Sequence, residues 1–332
     1  MPVLQRWRTI LNGCNLDEIE RADWLSRWLV ISRACVMSMT ATSGMIGVLL
    51  AITVGGARWL PAVLCVFGIL FAHLSNNLIN DYTDSKMGVD TEDYPRTQYS
   101  THPILGGLTT LKGLLAGAAL LTTADLAIMI YLASIRGSVI IWFAVGGLAL
   151  SLLYTILLKR IGLGELTALA VWGPLMTLGT IYAVSGKINN ELLLASIPYG
   201  LIVAGVLVGK HMDKINADRE AGLKTIPALI GVRGSAIVLK AQAIVFYVLI
   251  ALLAVLGVTG PWSAVTLLAL PKLIAAWKRW SAEKPDKPPE GWTVWPLWYV
   301  GWAMSFNRRA GVLLVFALLL DVVLPLVFPG LA

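Results

Sequence analysis

The chain has 332 residues but only 19 acidic side chains, and those with the spacing to do chemistry fall into two groups. The first closes an apolar run in the stretch NNLINDYTDSKMGVDTEDYP. Asn77, Asp81 and Asp84 stand there at i, i+4 and i+7, which puts one amide and two carboxylates on a single helical face. Asp90 follows beyond Gly88, where a glycine lets the chain turn back. Paired carboxylates at the end of a lipid-embedded helix repel one another, so a counter-ion is expected. Oxygen ligands suit a hard divalent cation, magnesium before calcium, and magnesium commonly keeps waters and binds phosphate oxygens of a substrate. A solvated acidic loop after a polar helix end would read the same way.

The second group lies in GKHMDKINADREAGLKTIPALIG. Asp213 and Asp218 are five residues apart, roughly 140° around an ideal helix, so they converge only if the helix ends or bends between them. Lys210, Lys214, Arg219 and Lys224 are interleaved with these acids, so carboxylates for a metal and cations for phosphate share one short segment. Gly222 and Pro227 mark a turn around Thr225. A charge-balanced helix end would look similar, but the pattern recurs: two acid-rich helix ends follow apolar runs on the basic side of the chain. His73, one turn before Asn77, reads as a packing residue, and His102 and His211 have no partner at zinc-site spacing.

The elements that must position these groups are transmembrane helices. Hydrophobic residues make up 57% of the chain and charged ones 14%, with a mean hydropathy of +0.76, which excludes an ordinary soluble domain. Apolar stretches of bilayer-crossing length predict nine helices near 29–54, 59–83, 113–133, 138–158, 165–185, 192–212, 236–258, 261–277 and 310–330. Residues 1–28 read as a cytoplasmic segment and not a cleaved signal, 84–112 and 212–235 as cytoplasmic loops, and 277–309 as a polar linker plus a tryptophan-rich interfacial helix. The net charge of +7 sits between spans and forms no stripe interleaved with aromatics, which argues against nucleic acid. Only Arg58, Arg136 and Lys187 fall on the side opposite the other basic residues, which places the N-terminus and the long loops in the cytoplasm. The three cysteines, Cys14, Cys35 and Cys65, read as small hydrophobes without a disulfide framework. A transporter would carry acids at mid-span and often inverted repeats; most acids here lie at helix ends and no repeat is visible.

From about Trp28 to the last span the chain resembles the UbiA superfamily of intramembrane aromatic prenyltransferases. The first cluster is similar to that family's Asn-Asp-x-x-Asp signature. Its form, NLIND before YTD and Gly88 then Asp90 after, is closer to the menaquinone and archaeal-lipid branches. The second resembles the family's second aspartate motif with its trailing Gly-x-x-Thr-x-Pro, matched by Gly222, Thr225 and Pro227. Between them, YTILLKRIGLGELTALAVWGP resembles a segment in which a tyrosine and a lysine, here Tyr154 and Lys159, precede a Gly-x-Gly-Glu turn, here Gly162, Gly164 and Glu165. Two departures stand out. Gly88 occupies the place of the first motif's last aspartate in many members, and Lys214 the place where four-residue spacing expects an acid.

The resemblance implies nine helices around a central cavity, with two magnesium ions holding the diphosphate of a polyprenyl donor. Asp81 and Asp84, with Asn77 in support, would hold one ion and Asp213 and Asp218 the other. Lys159, Lys210 and Arg219 would contact the diphosphate, although Arg219 serves equally well as a headgroup anchor. Tyr154 would face the allylic cation, and Asp90 would position or deprotonate the acceptor. The loop EDYPRTQYSTHPILGG, with Tyr94, Pro95, Arg96, Tyr99, His102 and Pro103, would form a lid. The expected reaction passes the prenyl group to an aromatic acceptor of quinone biosynthesis at the cytoplasmic face of the inner membrane and releases diphosphate. A glycerophosphate-lipid acceptor, internal cyclisation and transport are the alternatives. No obligate protein partner is implied.

Overall fold

The computed structural model describes residues 1–87 and 99–327, and every regular element among the described residues is helical. An amphipathic helix α1 (Val3–Gly13) and a short α2 (Trp24–Ile31) lead into α3 (Ala34–Thr53) and α4 (Trp59–Lys86). Then come α5 (Leu111–Arg136), α6 (Val139–Leu153), α7 (Gly164–Ser185) and α8 (Asn190–Met212). The six-residue α9 (Ile215–Glu220), α10 (Ile226–Val255), α11 (Leu270–Trp280) and α12 (Tyr299–Val327) complete the chain. Seven of these, α3, α4, α5, α7, α8, α10 and α12, are long and apolar enough to cross a bilayer. The chain is therefore an all-α integral membrane protein. Of the remaining expected spans, α6 has 15 residues, and the tightly wound Pro261–Ala269 runs on into α11.

Local chemistry sets the helix starts. The side chains of Thr110, Asn189 and Thr225 accept the N–H groups of Gly113, Leu192 and Ala228 at 3.1, 2.8 and 3.3 Å, satisfying amides that the first turn leaves open. The main core joins α3, α7, α8, α10 and α12 around Ile46, Leu50, Ile181, Tyr199, Phe246 and Phe306. A second core packs Ile10, Leu16 and Ile19 against Val30, Ile31, Leu78 and Leu114. Residues 1–28 are thus part of the folded body, and Arg6 closes the arrangement by pairing with Asp23 at 3.0 Å.

Three expectations change. The first span is not continuous from residue 29: Arg33 adopts a left-handed conformation (φ 56°) and separates α2 from α3. The last helix begins at Tyr299 instead of near 310, so the tryptophan-rich segment is not a separate interfacial helix. Pro296 keeps the residue before it out of helical geometry, and residues 281–298 form an irregular strap on which Trp292, Trp298 and Trp302 pack at 5.0–5.8 Å between ring centres. Finally, Cys14 and Cys35 are disulfide-bonded, correcting their reading as isolated small hydrophobes. The chain returns through the turn at Ile19–Arg21 and brings their Cα atoms to 5.1 Å, a proximity that their separation of 21 residues does not reveal. Cys65 remains a buried free thiol.

A cavity of about 1250 Å³ opens between α3, α4, α5, α6, α7, α8 and α12. Its wall is mostly apolar, and residues 291–294 and 297 of the strap contribute to it.

Candidate active site

α4 brings the first cluster to the polar end of this cavity. Asn76, Asn77 and Asn80 line the wall, and Asp81 and Asp84 follow within the next turn. Asp81 is fully buried and ion-paired with Arg33 on the turn between α2 and α3. Asn77 donates its Nδ2–H to the Ser32 carbonyl at 3.0 Å. These two side chains, predicted to serve a metal, therefore also hold the α2–α3 turn against α4. Asp84 is half-buried. Asp90, like Tyr94, Pro95 and Arg96 of the expected lid, lies outside the described residues. The described end of that loop docks on the N-terminal segment: Ser100 donates to the Cys14 carbonyl at 2.8 Å, and Tyr99 and Ser100 reach the cavity wall.

In the second cluster the helix does end between Asp213 and Asp218, but the two carboxylates part. Asp213 Oδ1 accepts the N–H groups of Trp298 and Tyr299 at 2.9 and 3.1 Å, and Oδ2 accepts that of Val300 at 3.0 Å. It is the clamp that starts α12, a structural role that the metal-ligand expectation for Asp213 did not include. Burial pushes the Asp213 carboxyl up to about 6, the three amides notwithstanding. Asp218, also buried, takes hydrogen bonds from His211 Nδ1 at 2.6 Å and Thr225 Oγ1 at 3.2 Å, with Lys214 Nζ at 3.5 Å. Burial alone would raise this carboxyl; the hydrogen bond with His211 and the Lys214 charge outweigh it and hold it below the usual carboxylate range. Lys210 lines the cavity. Arg219 instead is exposed and donates Nε–H to the Ala228 carbonyl at 3.0 Å, so it tethers α9 to α10 and contributes nothing to the cavity wall.

The middle segment joins the clusters. After α6 the helix widens over Tyr154–Leu158 into a π turn and delivers Lys159. Burial lowers the Lys159 ammonium below its usual range, while the charges of Asp84 and Asp218 both oppose that shift. One lysine thus senses an acid from each cluster. Gly162 has φ 88°, a left-handed conformation that costs glycine little. A Cβ on Gly164 would meet the Tyr154 ring at 3.3 Å and the Lys159 backbone at 3.5 Å, so a larger residue there would displace both. Tyr154 lines the cavity. Glu165, buried, accepts the Ile226 N–H at 3.1 Å and ties this turn to the residue following Thr225. Among the described residues no three His, Cys, Asp or Glu side chains form a cage for a metal ion by themselves.

The sequence pattern of the UbiA prenyltransferase family matches residues 39–299, which takes in both clusters and the turn between them. The chain belongs to this family. This UbiA-family prenyltransferase is 27% identical over 252 residues to the 1,4-dihydroxy-2-naphthoate octaprenyltransferase of Bacillus subtilis, covering 74% of the chain and 78% of that protein. Against several other curated relatives it spans only about half of their length. In fold it resembles a digeranylgeranylglyceryl phosphate synthase, with a TM-score of 0.57 at 17% identity over 90% of this chain and 98% of that one. A UbiA homologue from Archaeoglobus fulgidus bound to GPP and Mg2+ gives a TM-score of 0.56 at 14% identity, over 90% and 99% of the two chains. At these identities the likeness is one of fold.

Within this UbiA-family site, three residues had no assigned role in the sequence reading. Arg33 is the partner of Asp81, and His211 is the partner of Asp218, seven positions away across a helix break. His73 packs edge-on against Trp172 as expected, but it also lines the cavity and holds Thr40 Oγ1 at 2.6 Å. The signal available for His211 was its nearness to the second cluster, and for His73 its place one turn before Asn77 on the same helical face; nothing in the spacing pointed to Arg33.

Proposed function

We propose that this prenyltransferase moves a prenyl group from a polyprenyl diphosphate, whose chain occupies the apolar cavity, to an acceptor bound in the same cavity. The observation that carries this reading is the meeting of the two clusters beside a large apolar chamber: Asn77, Tyr154 and Lys210 line its wall, and Lys159, which packs with Tyr154 around Gly164, feels the charges of Asp84 and Asp218. A diphosphate there would meet Lys159, Lys210 and Lys214, and the negative charge that develops on it as the carbon–oxygen bond breaks is what such cations stabilise. The surrounding helices keep water from the allylic cation, with Tyr154 on the wall.

The acids fit magnesium of a particular kind. Separate carboxylates without a protein cage suit an ion that shares its coordination with substrate phosphate and water. Asp84 and Asp218 are the leading ligands, with Asp81 and Asn77 in support; one ion at each cluster would make two. Bound magnesium would neutralise charge on the departing diphosphate. Completing the bilayer crossings with α6 and with the run from Pro261 to Trp280 makes nine, with the N-terminus and the acidic helix ends on the cytoplasmic side as the basic loops require.

For the acceptor, the likeness in fold to a digeranylgeranylglyceryl phosphate synthase supports a prenylated glycerophosphate as the first reading. The cavity of about 1250 Å³ exceeds the roughly 300–1,000 Å³ typical of a single small-ligand pocket, as holding a donor chain together with an acceptor requires. The names of similar proteins fall in both acceptor branches, and the aromatic acceptor remains the second reading because of the dihydroxynaphthoate relative.

The test is turnover of radiolabelled geranylgeranyl diphosphate by the purified protein with magnesium and a panel of lipid and aromatic acceptors. Acceptor-dependent diphosphate release, abolished by chelation and reduced by about two orders of magnitude or more in Asp218→Ala, is expected. Release without acceptor would point to cyclisation. Folded protein that consumes no donor of any chain length would overturn the proposal.

A further inference from the structure

The proposed reaction uses the acids and lysines at one end of the cavity and leaves two arginines on α12 unexplained. Gly301, Met304, Ser305, Arg308, Arg309 and Val312 form the stripe of α12 that lines the chamber, at the three- and four-residue intervals of one helical face. This stripe lies well inside the bundle: Tyr199, near the middle of α8, donates its hydroxyl to Asn307 Oδ1 at 3.3 Å, and its ring packs where a Cβ on Gly311 would sit.

Arg308 is satisfied by dipoles and not by charge. Its Nη2 donates to the Leu11 and Cys35 carbonyls at 2.8 and 2.7 Å, and its Nη1 reaches Asn12 Oδ1 at 3.4 Å. Arg309 is exposed to the cavity side and makes no hydrogen bond or ion pair with any described residue. Neither arginine is paired with an acid among the described residues. Two guanidinium charges on the wall of a mostly apolar chamber, one of them exposed and without a described partner, offer a seat for an anion. A guanidinium is also the cation best shaped to grip a planar carboxylate or a phosphate through two parallel hydrogen bonds.

The placement suggests which anion. Arg308 holds the carbonyl of Cys35, two residues from Arg33, and Arg33 holds Asp81. Arg308 and Asp81 thus both hold the turn between α2 and α3, while Lys159 and Lys210 serve the diphosphate in the proposed reaction. We infer that Arg309, backed by Arg308, forms an anion subsite that recognises the carboxylate or phosphate of the acceptor and so selects anionic acceptors over neutral ones. This rests on the prenyl-transfer reading of the cavity, and it names the recognition group that reading leaves open. Arg33 is not part of the subsite because Asp81 engages it.

Binding to the full chain in nanodiscs tests the subsite without requiring turnover. The probes are two matched pairs: 1,4-dihydroxy-2-naphthoate against 1,4-naphthalenediol, and geranylgeranylglyceryl phosphate against geranylgeranylglycerol. In the wild type at least one anionic probe should bind about tenfold or more tighter than its neutral partner, and the pair that shows this separates the carboxylate source from the phosphate source. Arg309→Gln should bring that preference to within about twofold, with affinity for a non-hydrolysable geranylgeranyl thiodiphosphate unchanged. Arg309→Lys, which keeps the charge but loses the planar fork, should fall between the two and serves if the glutamine variant misfolds. No charge preference in the wild type, a preference that survives Arg309→Gln, or a loss confined to the thiodiphosphate overturns the subsite. Charge-selective binding through Arg309 in a protein that turns over no donor would instead fail the reaction and keep the subsite.

Discussion

Asp213 and Asp218 sit five positions apart among the same lysines, yet one anchors α12 and the other pairs with His211, Thr225 and Lys214. Removing Asp213 leaves three buried N–H groups of α12 without an acceptor, and hydrogen bonds to a charged group contribute about 1.5–3 kcal/mol each. Asp213→Ala should therefore lower unfolding stability by at least about 2 kcal/mol, measured by thermal or denaturant unfolding in detergent. Asp218→Ala should mainly abolish donor turnover. The pH dependence also distinguishes Asp213. Its folded pKa, about 6, lies above the ordinary aspartate value of 3.8, so between those values the folded state holds more protons than the unfolded chain. Its contribution to stability then falls as pH rises through that window, and the advantage of wild type over Asp213→Ala should be larger near about pH 4.5 than near about pH 7.5. The sequence marks both residues as acids beside cations but cannot separate them. The amides that claim Asp213 lie 85 to 87 residues away, as Arg33 lies 48 residues from Asp81.

At the scale of elements, helix identity was legible because lipid leaves a spanning backbone no alternative to internal hydrogen bonding. Hydropathy alone placed α5, α7 and α8 close to where they lie. It failed where tertiary contacts move a boundary: α12 starts at Tyr299 because Asp213 caps it there, and α3 starts late because Arg33 turns toward Asp81. The turn between α6 and α7 was legible as a motif, and the structure supplies its physical reason. Gly164 is small because the Tyr154 ring and the Lys159 backbone abut it. Gly164→Val should push both aside and lower kcat/KM for the donor by about tenfold or more, while far-ultraviolet circular dichroism stays helical.

For the whole molecule, the proposed cytoplasmic placement of the acidic ends rests on the basic loops and is tested with cysteine labels. Cys65 is buried, and Cys14 and Cys35, whose disulfide a reducing cytoplasm would open, are first replaced by serine to remove background. Lys187→Cys should react with a membrane-impermeant maleimide in intact cells, and Glu220→Cys only after permeabilisation; the reverse pattern would invert the topology. The gross arrangement, acids at one end of an apolar bundle, was readable from the chain. The cavity's actual wall was not, because it depends on which helices stay loosely packed. α6 is the clearest case: Ile140 is its only buried residue, while Ile141, Val145, Leu148 and Leu152 are exposed yet belong to the wall. A lightly held helix thus forms part of the chamber wall. In the proposed reaction the hydrocarbon chains of donor, acceptor and product would pass beside it and stay within the leaflet. The relevant concentration for such an enzyme is moles of substrate per mole of lipid, and inert lipid added at constant bulk substrate slows it by surface dilution alone.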